Sequence, residues 1–117
     1  MAAPNIVNVT TIIGKTAVLA VTTSATAIVS NTAASGKVFK INALYVANID
    51  GTNAADLTVD LFRSSTPYRL ASTISVPADS TLDVVSKAIY LEEGDSIRVT
   101  AGANGDLEAV CSYEEIS

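Results

Sequence analysis

The amino-acid sequence predicts an all-β protein: a single antiparallel β-sandwich, jelly-roll-like, with about eight strands. Three observations carry this expectation. Short runs rich in Val, Ile and Thr alternate apolar and polar residues along much of the chain, which suits a pleated, half-buried surface. Gly, Asn, Asp and Pro turn signals separate these runs at roughly 8–12-residue spacing. Thr and Val dominate where a helix would want Leu, Glu and Lys, so a short helical turn is the most that fits elsewhere. With 117 residues the chain is long enough for one two-layer core and too short for two, so residues 1–117 read as one domain. An immunoglobulin-like sandwich is the competing topology, without its usual Cys-Trp-Cys core.

The elements are expected in this order. Asn5 to Ile13 is a first strand, with Val7, Val9 and Ile13 on one face and Ile6 and Ile12 on the other. Gly14-Lys15 is a turn, Thr16 to Val21 a second strand and Thr22 to Ser30 a weaker third. Asn31 to Gly36 is a polar loop. Lys37 to Asp50 is the clearest strand, placing Phe39, Ile41, Ala43, Tyr45, Ala47 and Ile49 on one face. Leu44 and Val46 make its other face apolar too, as in a central strand or one set against a partner. Asp50-Gly51-Thr52-Asn53 turns the chain, and Leu57, Val59 and Leu61 form the inner face of the next strand. A turn at Ser64 to Pro67 leads to Tyr68–Val76, and Pro77-Ala78-Asp79 closes that strand. Thr81 to Tyr90 is one kinked strand or two short ones, with Lys87 near the break. Leu91 to Asp95 is a sharp turn into Ser96–Ala101. Gly102-Ala103-Asn104-Gly105 is a hairpin signal of the Asn-Gly type, and Asp106 to Tyr113 is the last strand.

Charge is scarce and unevenly placed. Charged residues are 16% of the chain and hydrophobic residues 49%, with a net charge of −5. Residues 1–49 carry Lys15, Lys37 and Lys40 and no acid, whereas all 12 acids fall in residues 50–117. No basic cluster with interleaved aromatics tracks a nucleic acid, and no window is apolar enough for a helical membrane span. The opening Met1 to Asn5 lacks a basic n-region, and Ala17 to Val21 is too short for a signal-peptide core, which argues against that export route.

Chemistry is sparser still. The chain has no His, so the base of a nucleophilic triad is missing, and no Gly-x-Ser-x-Gly elbow occurs. All six glycines sit in isolated turns rather than in a phosphate-cradling motif. Asp50 to Asp56 spaces oxygen ligands somewhat like a calcium loop, but lacks the full alternating set and the distal Glu; a hairpin turn explains it as well. Glu92, Glu93 and Asp95, with Glu108, Glu114 and Glu115, read as a solvated acidic rim rather than a catalytic pair. Cys111 cannot form an internal disulfide. It alternates with Leu107, Ala109 and Tyr113, and so reads as a small buried core residue. The expectation is a non-enzyme with no cofactor and no metal.

The uncharged opening third points to assembly. Edge strands are normally guarded by Lys, Pro or inward charges, yet residues 5–30 carry only Lys15. Left bare they would be aggregation-prone, so a neighbouring polypeptide is expected to cover them. The candidate contact residues are Ile6, Val7, Val9, Ile12, Ile13, Leu19 and Val21. The alternative is that these strands lie centrally in a sheet.

Several segments resemble small virion proteins of tailed phages infecting marine cyanobacteria. They are Met1 to Ile12, Asn48 to Asp56, Ala71 to Leu82, Tyr90 to Asp95 and Val110 to Ser117. The resemblance runs the length of the chain through turn-and-strand patterns, and it carries over no functional residue. It implies a structural role in the virion, assembled in the bacterial cytoplasm, whose reducing conditions suit a disulfide-free chain. It further implies a homo-oligomer that contacts the major capsid protein or neck and tail proteins. A head decoration (cement) protein is the first expectation. A neck, tail or fibre component, with a receptor- or glycan-binding role for Tyr45, Tyr68, Tyr90 or Tyr113, is the alternative. The acidic second half would then face solvent and the neutral first half the shell or sister subunits.

Overall fold

The structure is a computed structural model describing residues 4–117; Met1 to Ala3, part of the opening read above, lie outside the described residues. Nine strands form two antiparallel sheets: β1 (Ile12–Ala20), β2 (Thr26–Ser30), β3 (Val38–Asn48), β4 (Ala55–Arg63), β5 (Thr66–Val76), β6 (Thr81–Asp83), β7 (Ile89–Leu91), β8 (Ser96–Ala101) and β9 (Leu107–Ile116). One sheet runs β1-β9-β3-β6, with β7 also on β3; the other runs β2-β8-β4-β5. Because β6 and β7 pair with different stretches of β3, they act as one interrupted strand. Eight strand positions in this order make a jelly-roll-like sandwich.

The core lies between the two sheets. Ile41, Leu44, Val46 and Cys111 come from the first sheet and Leu57, Val59, Ile97 and Val99 from the second, each fully buried. Removing a side chain such as Leu57 would leave a cavity costing about 2–5 kcal/mol.

Three of the expected elements are corrected. Asn5 to Thr11 is not a strand: Asn5 caps a turn, its side-chain oxygen accepting from the Val7 amide and its carbonyl from the Asn8 amide. Gly14-Lys15 is not a turn but lies inside β1, opposite Glu114 and Tyr113. A pairing partner about a hundred residues away overrides the local Gly signal. In β3 the expected single face is broken by a bulge at Asn42, where Ile41 pairs with Tyr113 and Ala43 with Ser112. Phe39 and Ile41 therefore point inward before the bulge, and Leu44, Val46 and Asn48 after it. Ala43, Tyr45 and Ala47 turn outward.

Two expected hairpin turns are corrected as well: Gly102 to Gly105 joins β8 to β9, and the Asp50 loop joins β3 to β4, each a crossing from one sheet to the other rather than a hairpin. The remaining expectations describe the structure closely. Thr81 to Tyr90 resolves into two short strands, with Lys87 in the gap. Leu107, Ala109 and Cys111 share the inner face of β9, and Tyr113 packs its ring 5.5 Å from that of Phe39. The β4–β5 hairpin turns at Ser64-Ser65, both with positive φ, the backbone of a type I′ turn.

Candidate interaction surface

The four sheet edges differ sharply. β6 and β7 are three residues each, and β2 has five residues with a register shift at Ile28. β5 is long, but it carries Pro67, two register shifts and a positive φ at Thr73. These are the devices that discourage strand addition. β1 has none of them. It pairs with β9 through all nine residues without a shift, and among the described residues nothing pairs with its other side.

The hydrogen-bond phase of β1 identifies which backbone groups that open side presents. Thr11 and Ser117 exchange amide-to-carbonyl bonds in both directions, and the Val21 amide donates to the Leu107 carbonyl. Antiparallel ladders alternate bonded and non-bonded pairs. Ile13, Lys15, Ala17 and Leu19 therefore bond to β9. Ile12, Gly14, Thr16, Val18 and Ala20 direct their N–H and C=O groups away from the sheet.

The outer face beside this edge carries an exposed apolar row. Val18, Val110 and Tyr45 stand in one row across β1, β9 and β3, and they are 74%, 40% and 46% exposed. Small residues flank the row on one side, Thr16, Ser112 and Ala43; on the other, Ala20 and Ala47 stand either side of the exposed Glu108. Of the residues expected to make contacts, Ile6, Val7, Ile12 and Ile13 are exposed and Val9 is half-buried. Leu19 packs partly against the core. Val21 is 1% exposed and belongs to the core, because it follows the inward phase of Ala17 and Leu19. Val18, absent from that set, is the most exposed apolar side chain of β1. Its alternation with Ala17 and Leu19 was the available signal.

The linear charge split does not become two faces. β1 lies against β9, so the acid-free opening abuts Glu108, Glu114 and Glu115. Lys15 and Lys37 both donate to Glu115. Those bonds, Lys37 first, hold the Glu115 carboxyl below the usual carboxylate range despite its partial burial. The one base of β1 is thereby neutralised inside its own sheet.

The remaining polar groups hold loops in place. Buried Asn31 donates to the carbonyls of Lys37 and Leu91 and accepts from the Ser35 hydroxyl. Buried Asn48 donates to the carbonyls of Asn53 and Val76, and accepts from the Asp50 amide. Arg63 grips the buried Asp95 through two nitrogens and also reaches Glu92. Arg98 donates to Asp60 at 2.9 Å while lying 3.9 Å over the Phe62 ring. Among the described residues every buried side-chain polar atom has a partner.

The acidic turns take the same structural form. Asp50 accepts from the amides of Thr52 and Asn53, bonds that hold its carboxyl low. Glu93 accepts from the Gly36 amide. Among the described residues no three His, Cys, Asp or Glu converge as a metal site would require. Cys111 is fully buried, and burial pushes its thiol up to about 11. Of the tyrosines, Tyr45 and Tyr90 lie on β3 and β7, and Tyr68 on β5 of the other sheet.

Comparison with known proteins places the fold alone. No protein-family profile matches the chain, and no curated protein matches it. Among solved structures, a subunit of Bacillus endospore appendages, described as a family of disulfide-linked pili, is similar over 92% of this chain and 88% of its own. That match has a TM-score of 0.55 at 15% identity. The nucleoplasmin-like N-terminal domain of Drosophila FKBP39 aligns over 87% of this chain and 85% of its own, with a TM-score of 0.42 at 18% identity.

Proposed function

We propose that this chain is a non-enzymatic structural subunit of a tailed-phage particle, decorating the head shell and docking through β1 and the outer face beside it. The observation that carries the reading is the β1 edge: nine unshifted residues, no acid, one neutralised base, and an apolar row continuing from it. An edge of this kind recruits a further strand by backbone pairing, with affinity from the ladder and selectivity from the flanking side chains. The resemblance to cyanophage virion proteins supports the particle as the setting.

The fold likeness to a pilus subunit is compatible with an assembly role and adds no partner. Those pili are disulfide-linked; in this chain the sole cysteine is buried, so its contacts would be non-covalent. A neck, tail or fibre location is the second reading, favoured by the exposed Tyr45, Tyr68 and Tyr90. Their spread over two sheets makes no common sugar platform.

Quantitative mass spectrometry of purified particles tests the reading. Hundreds of copies per particle place the protein on the shell, and about six to eighteen place it at the neck or tail, following the symmetry of those parts. Absence from particles overturns the proposal.

A further inference from the structure

We infer that the partner strand at the β1 edge is β1 of a second copy, paired antiparallel about a two-fold axis through Thr16. This deepens the assembly reading above and rests on β1 being its contact element.

Three observations lead to this partner. The first is the choice of edges. β2, β5, β6 and β7 are short, shifted or interrupted by Pro, so a long uninterrupted ladder between two copies requires β1 on both sides. Such a contact is isologous, with the same strand serving as donor and acceptor.

The second is hydrogen-bond phase. Full overlap of Ile12–Ala20 with its own copy sets Ile12 opposite Ala20, Gly14 opposite Val18, and Thr16 opposite Thr16. These are the same residues whose N–H and C=O groups point away from β9, as the Thr11–Ser117 and Val21–Leu107 bonds establish. Each pair therefore exchanges two bonds, and none of the outward backbone groups of β1 is left over. A register displaced by one residue would place inward-bonded residues opposite outward ones and forfeit the ladder.

The third is side-chain fit. On the outer face the full-overlap register opposes large to small, Ile12 to Ala20 and Val18 to Gly14. On the inner face Ile13 meets Leu19 and Lys15 meets Ala17. No like charges come opposite each other, because Lys15 is the only ionisable side chain of β1 and is already held by Glu115. Gly14 gains a reason as well. A Cβ there would meet nothing within 4 Å in the single chain, and its φ is not positive. Nothing within one copy asks for glycine mid-strand, and such glycines often mark the close approach of another backbone. The resulting dimer would carry one continuous sheet across the axis, with the Val18–Val110–Tyr45 row repeated on both halves.

The test uses the full-length chain. Sedimentation equilibrium of the wild type should show a mass of twice 12.0 kDa that dissociates on dilution. Thr16→Cys should form an intermolecular disulfide on mild oxidation, since a bonded antiparallel pair holds its Cα atoms about 5.5 Å apart, within disulfide reach. Ser24→Cys, in the loop after β1, should not. Thr16→Pro removes an N–H that points away from β9, so the fold should persist by circular dichroism while the dimer is lost. A wild type that stays monomeric across the range, or a dimer that Thr16→Cys does not cross-link, overturns the inference without need of the Pro variant. If that monomer still binds purified particles and Thr16→Pro abolishes the binding, the assembly role stands and only the second copy falls. A cross-linked dimer that is absent from particles does the opposite: the second copy stands and the particle role falls.

Discussion

Val18 and Val110 stand opposite each other on β1 and β9, in the outward phase of both strands, while their neighbours Ala17 and Cys111 form the inward pair one residue away. One strand pair thus contributes to the core with one face and leaves a bare apolar step on the other. Exposed apolar side chains gain little from folding, so their replacement separates stability from association.

Val18→Lys is expected to change folding stability by no more than about 0.5 kcal/mol, the usual range for surface substitutions away from special contacts. Association through β1 should weaken, because the new charge sits beside the contact strand. Urea titration and sedimentation on the same preparation check both halves. A large loss of stability would mean that Val18 is covered within the single chain.

Asn31 ties the segment entering β3 to the end of β7 with one amide. Asn31→Ala leaves the carbonyls of Lys37 and Leu91 short of a donor, and is expected to cost about 2–3 kcal/mol. Asn48→Ala should cost a similar amount at the opposite loops. Chemical denaturation at neutral pH measures both.

Acid should destabilise the sandwich through two carboxylates. Glu115 is held low by bonds from Lys37 and then Lys15. Burial raises Asp95, but the Arg63 bond and the Glu92 amide outweigh it. A carboxyl whose folded value lies below its unfolded one adds stability above the unfolded value, and loses it as pH falls through the folded value. Unfolding midpoints should therefore fall from the ordinary carboxylate values of 4.5 for Glu115 and 3.8 for Asp95 downward. Glu115→Gln should flatten that limb, as followed by urea midpoints across the acid range.

Cys111 should be silent toward thiol reagents in the folded protein. The thiolate is the reactive form, and burial both pushes the thiol up to about 11 and blocks access. Labelling at mildly alkaline pH should proceed only as fast as the chain unfolds. A fast reaction in native buffer would contradict the packing of β9 described above.

Much of the fold was legible because alternation and turn chemistry are local signals. The Ser64 turn, the break near Lys87 and the inward phase of β9 all follow from a few adjacent residues, whereas the Asn-Gly signal at Gly102 to Gly105 marks a turn but not that it crosses from one sheet to the other. What was not legible depends on distant partners. Gly14 reads as a turn until β9 arrives opposite it, and Asn5 to Val9 reads as a strand although the described residues give it no ladder. The bulge at Asn42 reverses the phase of β3, and apolar residues on both faces of that strand hid the reversal. At the contact surface, the scarcity of charge in residues 5–30 marked the region. Which backbone groups face outward follows only from the hydrogen-bond phase, whereas alternation with Ala17 and Leu19 sets Val21 inward and Val18 outward.

Residue-resolved amide hydrogen exchange of the full-length protein, at high and low concentration, tests the central claim most directly. If β1 is a contact strand, the amides of Ile12, Gly14, Thr16, Val18 and Ala20 are protected when the protein is concentrated and exchange freely on dilution. Those of Ile13, Lys15, Ala17 and Leu19 stay protected at both. Free exchange of the first set at every concentration, and equally on the assembled particle, would show that the open edge of β1 meets no partner.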